Sequence, residues 1–312
     1  MARFLTTGAD PMSASLAGKK IVVIGLGLIG GSLARALRTA EPAARIHAMD
    51  RSAPALEQAR ADGTLDEWSH DPNSACRDAD LIVLAIPVLS IEGKLRELAP
   101  FLAPHTVITD VASVKGAIVE AAQRVFGRLP RRFIPGHPIA GSEQSGYGAA
   151  RSDLYRGRKV ILTPQSDSDP QAVAAVRALW SLVGAEVLTM DVIHHDQVLA
   201  ATSHLPHLLA FALVDTLSQQ GTREEIFRYA AGGFRDFTRI ASSDPVMWRD
   251  IFVSNAEATV GILDEYQREL TQLRALLLAR DGAALLELFG RANQSREIFL
   301  AFNRGQPAKP SE

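Results

Sequence analysis

The stretch KIVVIGLGLIGGSLARALRTA, residues 20–40, predicts a buried strand, a tight turn and a helix in direct succession. Its IVVI run is typical of a strand buried on both faces, and its later Leu and Ala residues recur at helical spacing. Gly25, Gly27 and Gly30 occupy the turn. In dinucleotide-binding proteins the first glycine permits the turn, the second lets backbone approach a pyrophosphate, and the third allows close helix packing. The stretch therefore predicts the first strand–helix unit of a dinucleotide-binding sheet.

An acidic residue after the next strand strengthens this interpretation. The run RIHAMD, residues 45–50, predicts the second strand and ends in Asp50, where such folds place the acid that binds the adenosine ribose hydroxyls. A carboxylate there repels a 2′-phosphate, so NAD is favoured over NADP, although Arg51 softens that choice. Pro87, which ends the third predicted strand, is placed beside the cofactor or is a simple strand stop. The predicted cofactor-binding residues are Gly25, Leu26, Gly27, Leu28, Ile29, Gly30, Asp50, Arg51 and Pro87.

Strand and helix patterns alternate up to about residue 190. Strands alternating with helices indicate a mostly parallel sheet covered on both faces. Beyond residue 190 nearly every segment has helical composition, with breaks at Gly232–Gly233 and at SSDP, residues 242–245. The predicted fold class is α/β, a Rossmann-type doubly wound sheet followed by an all-helical domain. Predicted strands are IVVI, RIHAMD, LIVLAIP (81–87), HTVITD (105–110), RRFIPG (131–136), RKVILTP (158–164) and AEVLTM (185–190).

The predicted domain boundaries follow this change in pattern. We expect a flexible leader at 1–18, a dinucleotide-binding domain at 19–189, a helical domain at 190–305 and a flexible tail at 306–312. The leader has no apolar core of signal-peptide length, and Met12 is an alternative start.

Composition excludes several classes of function. The 312 residues are 22% charged with a net charge of -2, which provides no basic field for nucleic acid or an anionic membrane. The single cysteine, Cys76, rules out an intrachain disulfide and a cysteine-rich zinc site, so no metal is predicted and a reducing cytoplasm fits. The apolar run at 81–89 falls short of the roughly 20 residues that span a bilayer, and no transmembrane helix is expected. Small molecules or copies of the chain are the expected partners.

Two loops at the carboxyl ends of predicted strands are candidates for chemistry, because ligands of such sheets bind there. His137 lies between Gly136 and Pro138, and a residue before proline is held out of the helical region. Beside a nicotinamide its neutral imidazole suits a general base. Ser113, after the fourth strand, has either a catalytic role or a helix-capping role.

Five motifs occur along the chain in the order VIGLGLIGGSLA, TDVASVK, GHPIAGSEQSG, TSHLPH and GGFRDFTRIASSDPVMWRDI. Together they give the chain a resemblance to the prephenate and arogenate dehydrogenases of tyrosine biosynthesis, particularly the stand-alone cyclohexadienyl type. The resemblance covers about residues 20–300. We expect neither a fused chorismate mutase at the N-terminus nor a regulatory ACT domain after the helices.

The resemblance implies residue roles. Removal of hydride from the substrate's C4 and of the hydroxyl proton develops a ketone, and loss of the ring carboxylate then gives a phenol. His137 matches the family's catalytic base, Ser113 the serine that bonds the reacting hydroxyl and the imidazole, and Arg239 the arginine that holds a carboxylate. His207 matches a substrate-contacting histidine, and Asp236 would orient His207 or Arg239.

Several assignments stay open within that resemblance. Arg239 could instead form a surface or interdomain ion pair, and His204 is as readily structural as functional. Ser142 and Glu143 either line the substrate pocket, where an acid would favour the ammonium group of arogenate, or cap the next segment.

Two other functions remain as alternatives. A 3-hydroxy acid dehydrogenase of the same architecture would use a lysine in the helical domain, yet the helical segments contain none before Lys309. A non-catalytic NAD sensor would have no need for His137, Ser113 and Arg239 to converge.

The helical region is rich in Leu and Ala on more than one face. That is more apolar surface than a small helical domain leaves in water, so it is expected to be a dimerisation domain that forms a symmetric homodimer.

Overall fold

A computed structural model describes residues 16–141 and 144–303 of the chain. The contacts within the chain divide it into two compact units, residues 1–259 and residues 260–312. The first unit contains both sheets and all the site residues discussed below. The second contains most of the penultimate helix and the whole of the last one.

The first unit is built on a parallel sheet of six strands in the order β3-β2-β1-β4-β5-β6. The order reverses between β1 and β4, which is the switch point where doubly wound sheets bind ligands. The predicted Rossmann-type sheet is thereby confirmed. The strands are β1 (Lys20–Ile24), β2 (Arg45–Met49), β3 (Glu67–Trp68), β4 (Leu81–Leu84), β5 (Val107–Asp110) and β6 (Phe133–Ile134).

Helices cover both faces of this sheet because its strands carry apolar residues on both sides. One buried cluster includes Leu33 and Leu37 on α1 with Trp180 on α6, and the opposite cluster includes Ile91 on α4 with Ile118 on α5. The helices are α1 (Leu28–Ala40), α2 (Ala53–Ala61), α3 (Pro72–Cys76), α4 (Ile91–Leu98), α5 (Gly116–Phe126) and α6 (Pro170–Leu182).

The fifth predicted strand, at 131–136, is wrong in its extent, because the chain leaves the large sheet at Pro135. Proline has no N–H to extend the ladder, and its carbonyl accepts a hydrogen bond from the Thr163 N–H at 2.9 Å. The next residues start a second sheet of three strands, in which β7 pairs antiparallel with β8 and β8 pairs parallel with β9. These strands are β7 (Gly136–Pro138), β8 (Lys159–Leu162) and β9 (Glu186–Thr189).

The described residues after 190 are helical, as predicted. The glycines at 232 and 233 begin a helix, and Asp244 caps the helix that Pro245 begins. Residues 192–218 form one continuous helix that widens into a π-helical turn at Ala200–His204, just before Pro206. Pro206 cannot donate to Thr202, and such wide turns often occur at functional sites. The helices are α7 (Val192–Leu199), α8 (Leu205–Ser218), α9 (Arg223–Arg228), α10 (Gly232–Thr238), α11 (Pro245–Ser254), α12 (Ala256–Ala279) and α13 (Gly282–Asn303).

The continuous helix Val192–Ser218 is, within the described ranges, the one helix long and apolar enough to cross a membrane by length and composition. No transmembrane helix was expected, because the longest apolar run of the sequence, residues 81–89, falls short of the roughly 20 residues that span a bilayer. Polar residues interrupt the apolar residues of Val192–Ser218. Three of those residues, His195, Asp196 and His204, are buried in the first unit and hydrogen-bonded there. We therefore interpret it as a helix of the folded domain.

The predicted leader and tail are mostly outside the described residues, which begin at Leu16 and end at Asn303. The predicted boundary between residues 189 and 190 stays a prediction.

Candidate active site

The glycine turn lies at the switch point of the sheet. Gly25 has a φ of 96°, a conformation that side chains disfavour, and a Cβ there would lie 2.2 Å from the Ala85 carbonyl oxygen in the loop after β4. Gly30 is equally confined, since a Cβ would lie 1.9 Å from the Gly25 carbonyl oxygen. A Cβ on Gly27 would meet nothing within 4 Å. The loop is therefore packed against its neighbours at Gly25 and Gly30 and open at Gly27, as a pyrophosphate site requires.

Helix α1 presents its N-terminus at this opening. Its N-cap is Gly27, no side chain caps it, and no acidic residue lies in its first turn. The first-turn N–H groups, which include those of Leu28 and Ile29, are therefore suited to bind an anion. The Leu26 side chain is buried beneath the loop and the Ile29 carbonyl accepts a hydrogen bond from the Tyr155 hydroxyl at 2.5 Å, which fixes the backbone.

Asp50 follows β2 beside the glycine turn. Its carboxylate accepts hydrogen bonds from the Leu26 N–H at 2.6 Å and from the Ser52 N–H at 2.7 Å. Each oxygen keeps a second lone pair, so the carboxylate can both hold the loop and accept from ribose hydroxyls. Arg51 and Pro87 are exposed. Pro87 lies three residues beyond the end of β4 at Leu84, so it does not itself end the strand as predicted.

His137 lies within β7, which contacts β5, and only 8% of its surface is exposed. Its Nδ1 lies 2.9 Å from the Nε2 of His195. Burial lowers the pKa of His137 well below 6.5, and the nearby His195, Lys115 and His204 act in the same direction. The imidazole is therefore neutral near pH 7, as a general base must be.

His195 and Asp196 continue this hydrogen-bonded chain from α7. The Nδ1 of His195 lies 2.7 Å from an Asp196 carboxylate oxygen. That carboxylate also accepts the backbone N–H groups of Lys115 and Gly116, each at 2.8 Å. Burial alone would raise the pKa of Asp196, but these three donors bring it below its usual value. The result is a buried row of hydrogen-bonded groups that runs from the Asp196 carboxylate through His195 to His137.

A buried ion pair supports the same region. The Lys115 ammonium contacts the Asp110 carboxylate and donates to the Gly136 carbonyl at 2.6 Å, and both side chains of the pair are fully buried. Asp110 also accepts the Gly136 N–H at 3.1 Å and the Ala112 N–H at 2.9 Å. Burial lowers the pKa of Lys115, and Asp110 opposes that change. The pair thus fixes β7 and the loop after β5 to each other.

Ser113 lies in that loop and does not cap the following helix. Helix α5 begins at Gly116, and its first N–H groups are bonded to Asp196 from α7. The capping alternative for Ser113 is therefore wrong. The next residue, Val114, is buried with Trp248 of α11, which places the Ser113 loop beside that tryptophan.

His207 stacks on Trp248, with ring centroids 3.7 Å apart and planes at 22°. Its Nδ1 bonds the Ser203 carbonyl at 2.8 Å, so Nε2 is left as an acceptor. Burial lowers the pKa of His207, and Arg239 adds to that decrease. The guanidinium of Arg239 therefore lies within electrostatic reach of His207.

His204 faces the interior. Its Nδ1 accepts from the Asn255 amide at 3.1 Å, and the same amide donates to the Asp196 backbone carbonyl at 2.9 Å. Burial lowers the pKa of His204 to about 4. These contacts favour a structural role for His204 over a functional one. A positive charge on His204 would act on both His137 and His207.

Asp236 is exposed, and its carboxylate pairs with Arg235 at 3.9 Å. Helix α10 ends at Thr238 and Arg239 starts a 3₁₀ segment, Arg239–Ser242, so the change of helix type falls between Asp236 and Arg239. Ser142 and Glu143 lie outside the described residues.

Three residues of the site were missed from the sequence: Lys115, His195 and Asp196. A signal was present in the HHD run at 194–196, where two imidazoles adjoin a carboxylate. The composition of the surrounding segment predicts only a helix there, without a role for the run.

Comparisons with known proteins agree with these features. A family model described as prephenate dehydrogenase, nucleotide-binding domain, matches residues 33–189. A second, described as prephenate dehydrogenase, dimerization domain, matches residues 191–291.

Individual proteins give the same result. A cyclohexadienyl dehydrogenase from Zymomonas mobilis is 38% identical over 281 residues, covering 89% of this chain and 95% of its own length. The crystal structure of a prephenate dehydrogenase from Aquifex aeolicus, in complex with hydroxyphenyl propionate and NAD+, has a TM-score of 0.84 at 36% identity and covers 91% of this chain and 99% of its own. An arogenate dehydrogenase from Synechocystis has a TM-score of 0.77 at 31% identity, covering 90% and 99%. The resemblance drawn from the motifs is confirmed, and the chain belongs to the prephenate/arogenate dehydrogenase family.

Proposed function

We propose that this chain catalyses the NAD-dependent oxidative decarboxylation of prephenate and/or arogenate to 4-hydroxyphenylpyruvate and/or tyrosine. The observation that carries the proposal is His137, a buried and neutral imidazole with one ring nitrogen bonded to His195. Family membership and the substrates named for the similar proteins support the same reaction. They do not favour the 3-hydroxy acid or sensor alternatives.

The residues at the switch point fit NAD. The open face at Gly27 and the uncapped start of α1 would hold the pyrophosphate, and Asp50 would accept the adenosine ribose hydroxyls. The Asp50 carboxylate disfavours the extra phosphate of NADP. Arg51, the one cation among the predicted cofactor-binding residues, is exposed and would pair with that phosphate. Bound NAD supplies the acceptor for the hydride that leaves C4 of the substrate.

His137 is the proposed base. Its free ring nitrogen takes the proton of the C4 hydroxyl, so that the oxygen's electrons form the ketone as hydride departs. The C–C bond to the ring carboxylate then breaks, carbon dioxide leaves, and the bonding electrons make the ring aromatic with negative charge on the same oxygen. The protonated His137 returns its proton to that oxygen, which gives the phenol.

The remaining residues would orient the substrate. Ser113, in the loop that packs beside Trp248, is proposed to bond the reacting hydroxyl. Arg239 is proposed to bind a carboxylate through its planar guanidinium, with the Nε2 of His207 as an acceptor nearby. Asp236, whose carboxylate pairs with Arg235, is proposed to orient His207 or Arg239. Ser142 and Glu143 are proposed to lie near the substrate, where Glu143 would favour the ammonium group of arogenate.

We further propose that the functional form is a homodimer in the cytoplasm, with residues 19–189 as the nucleotide-binding domain and 190–305 as the helical dimerisation domain. The match of residues 191–291 to a dimerization domain supports this assembly. The single cysteine is buried and unpaired, which fits a reducing compartment.

The test is NADH formation by the purified chain, measured by absorbance with prephenate and with arogenate in turn. Turnover with either supports the proposal, and the ratio of kcat/KM gives the substrate preference. Repeating the assay with NADP tests the role of Asp50, for which we expect weaker binding. Normal NAD binding with no turnover of either substrate would contradict the proposal.

A Glu143→Gln variant tests the substrate preference separately. We expect it to lower activity with arogenate more than with prephenate. An unchanged ratio of the two activities would remove Glu143 from the specificity assignment.

A further inference from the structure

We propose that His195 and Asp196 are positioning residues that hold the proton of His137 on Nδ1, so that Nε2 is the nitrogen that accepts the substrate proton. This inference deepens the proposed function and rests on it for its kinetic consequences. Its structural part, the position of the proton, can be tested without substrate.

Asp196 has a fixed role as a hydrogen-bond acceptor. Its carboxylate receives two backbone N–H groups from Lys115 and Gly116 at the start of α5. Both donors and the helix terminus favour the ionised form, which can only accept hydrogen bonds. The contact of 2.7 Å to His195 Nδ1 therefore requires a proton on that nitrogen.

The proton on His195 Nδ1 in turn determines which nitrogen of His137 is protonated. Burial keeps the pKa of His195 below its ordinary value, so a neutral ring with a protonated Nδ1 has an unprotonated Nε2. That Nε2 lies 2.9 Å from His137 Nδ1, and two unprotonated nitrogens would leave the contact without a hydrogen. His137 must therefore donate from Nδ1, which leaves the lone pair on Nε2.

The positions of these groups are fixed by several elements. Asp196 joins α7 to the start of α5, and its backbone carbonyl accepts from the Asn255 amide after α11. His137 is held in the ladder between β7 and β8, where it pairs with Ile161. The rings of His137 and His195 meet edge-on, with centroids 5.1 Å apart and planes at 65°. The hydrogen bond therefore joins two rigid parts of the first unit.

The surrounding charges explain why such a row is useful. Burial and the ammonium of Lys115 both make His137 a weaker base, while the Asp110 carboxylate is engaged by that ammonium. His204 stays neutral because burial lowers its pKa to about 4. Among the described residues, Asp196 is the anion left to stabilise a positive charge on this row, and His195 connects it to the imidazole of His137. When His137 takes a proton, its Nδ1–H donates more strongly, and His195 can share the positive charge next to Asp196.

The first experiment reads the proton directly in the substrate-free protein. With ¹⁵N-labelled histidine, NMR shifts distinguish a protonated ring nitrogen from an unprotonated one, and a His137→Gln spectrum assigns the signals. We expect His137 to have a protonated Nδ1 and an unprotonated Nε2 at neutral pH. A protonated Nε2 would overturn the proposal whether or not the chain turns over prephenate.

The second experiment compares two variants of His195. In His195→Gln the amide oxygen can still accept from His137 Nδ1 but cannot share charge, so we expect kcat to fall about tenfold. In His195→Phe no acceptor remains, the proton of His137 is free to move to Nε2, and we expect kcat to fall by about 10²-fold or more. The KM for prephenate and the Kd for NAD should change less than about threefold in both.

The pH dependence separates positioning from simple structural support. Without the link to Asp196, His137 is a weaker base, so the acidic limb of the kcat/KM profile should move to lower pH in His195→Gln. The exposed neighbour His194 provides the matched control, and His194→Phe should leave both kcat and the limb unchanged. Equal losses in the two His195 variants, or an unmoved limb in His195→Gln, would overturn the proposal.

Discussion

As the proposed base, the side chain of His137 has to satisfy two conditions, being neutral before the reaction and able to carry a proton during it. Its environment supplies the first condition through burial and the adjacent Lys115, which lower its pKa. The hydrogen bond to His195 serves the second, because it stabilises the imidazolium that forms. A side chain that satisfies only one condition would leave the enzyme folded and inactive.

Replacing His137 with Asn removes the base while keeping a polar side chain at the site. We expect kcat for prephenate to fall by about 10²- to 10⁴-fold, the usual contribution of general base catalysis. The Kd for NAD, measured by fluorescence titration, should stay within about twofold because the glycine turn is untouched. His194→Asn, at an exposed position, should keep full activity. Loss of NAD binding together with activity would contradict the assignment.

The residue types of this site were only partly readable from the sequence. His137 was identifiable because its flanking Gly136 and Pro138 rule out a helix interior. The contacts of His195 and Asp196 were not, since His195 is 58 residues from His137 and Asp196 is 81 residues from Lys115. Such distances carry no periodic signal, and only the packing of α7 against α5 brings the groups together.

At the scale of elements, the glycine turn combines two different constraints within three positions. A methyl group on Gly25 would collide with the Ala85 carbonyl, whereas a methyl group on Gly27 would meet no protein atom. Gly25 therefore serves the contact between two loops of the sheet, and Gly27 leaves space for a ligand.

Substituting each glycine with Ala should separate these roles. Gly27→Ala should leave the Tm within about 2 °C of the original, since its backbone has a negative φ and open surroundings, but weaken NAD binding by about tenfold or more. Gly25→Ala should destabilise the fold by about 2 kcal/mol or more, through its positive φ and the clash. Thermal melts and NAD titrations measure both. A stable Gly25→Ala protein with normal affinity would contradict this division.

The elements themselves show where sequence patterns end. The strands β1, β2, β4 and β5 were predicted because each is a mostly buried run rich in apolar residues. Strand β3 was missed, since its two residues, Glu67 and Trp68, give no pattern. The predicted fifth strand divides at Pro135. From the sequence, the proline indicates only that the ladder of hydrogen bonds stops, and not which strand each half pairs with.

At the scale of the whole molecule, the apolar surface of the second unit needs a partner. On α13 Leu286 is 74% exposed and Phe289 is 56% exposed, within the stretch that matches a dimerization domain. Large exposed apolar groups of this kind mark protein interfaces. We propose that these two side chains lie in the homodimer interface.

A charge at this surface should therefore oppose dimerisation. We expect Phe289→Glu to shift the protein from dimer to monomer at micromolar concentration, measured by size exclusion with light scattering. Gln294→Glu adds the same charge at an exposed polar position of the same helix and should stay dimeric. An unchanged mass for Phe289→Glu would remove this residue from the interface.

Two buried histidines outside the proposed chemistry contribute to the response of the fold to acid. Burial lowers the pKa of His47 to about 4, with Lys20 acting in the same direction and Glu67 against it. The pKa of His204 also falls to about 4 through burial. Unfolded chains protonate histidine near pH 6.5. Between about pH 6.5 and 4 the unfolded state thus binds more protons than the folded state, and stability must fall as the pH decreases.

His47 allows that relation to be tested, because both of its ring nitrogens are buried without a hydrogen-bond partner among the described residues. His47→Leu removes one group that the folded state keeps neutral. We expect the slope of unfolding free energy against pH, measured by urea unfolding at fixed protein concentration, to decrease by up to ~1.4 kcal/mol per pH unit between pH 6 and about 4.5. His194→Leu, where the imidazole is exposed, should keep the original slope. If His47→Leu keeps it as well, His47 accepts its proton in the folded state, which would require water to reach the buried ring.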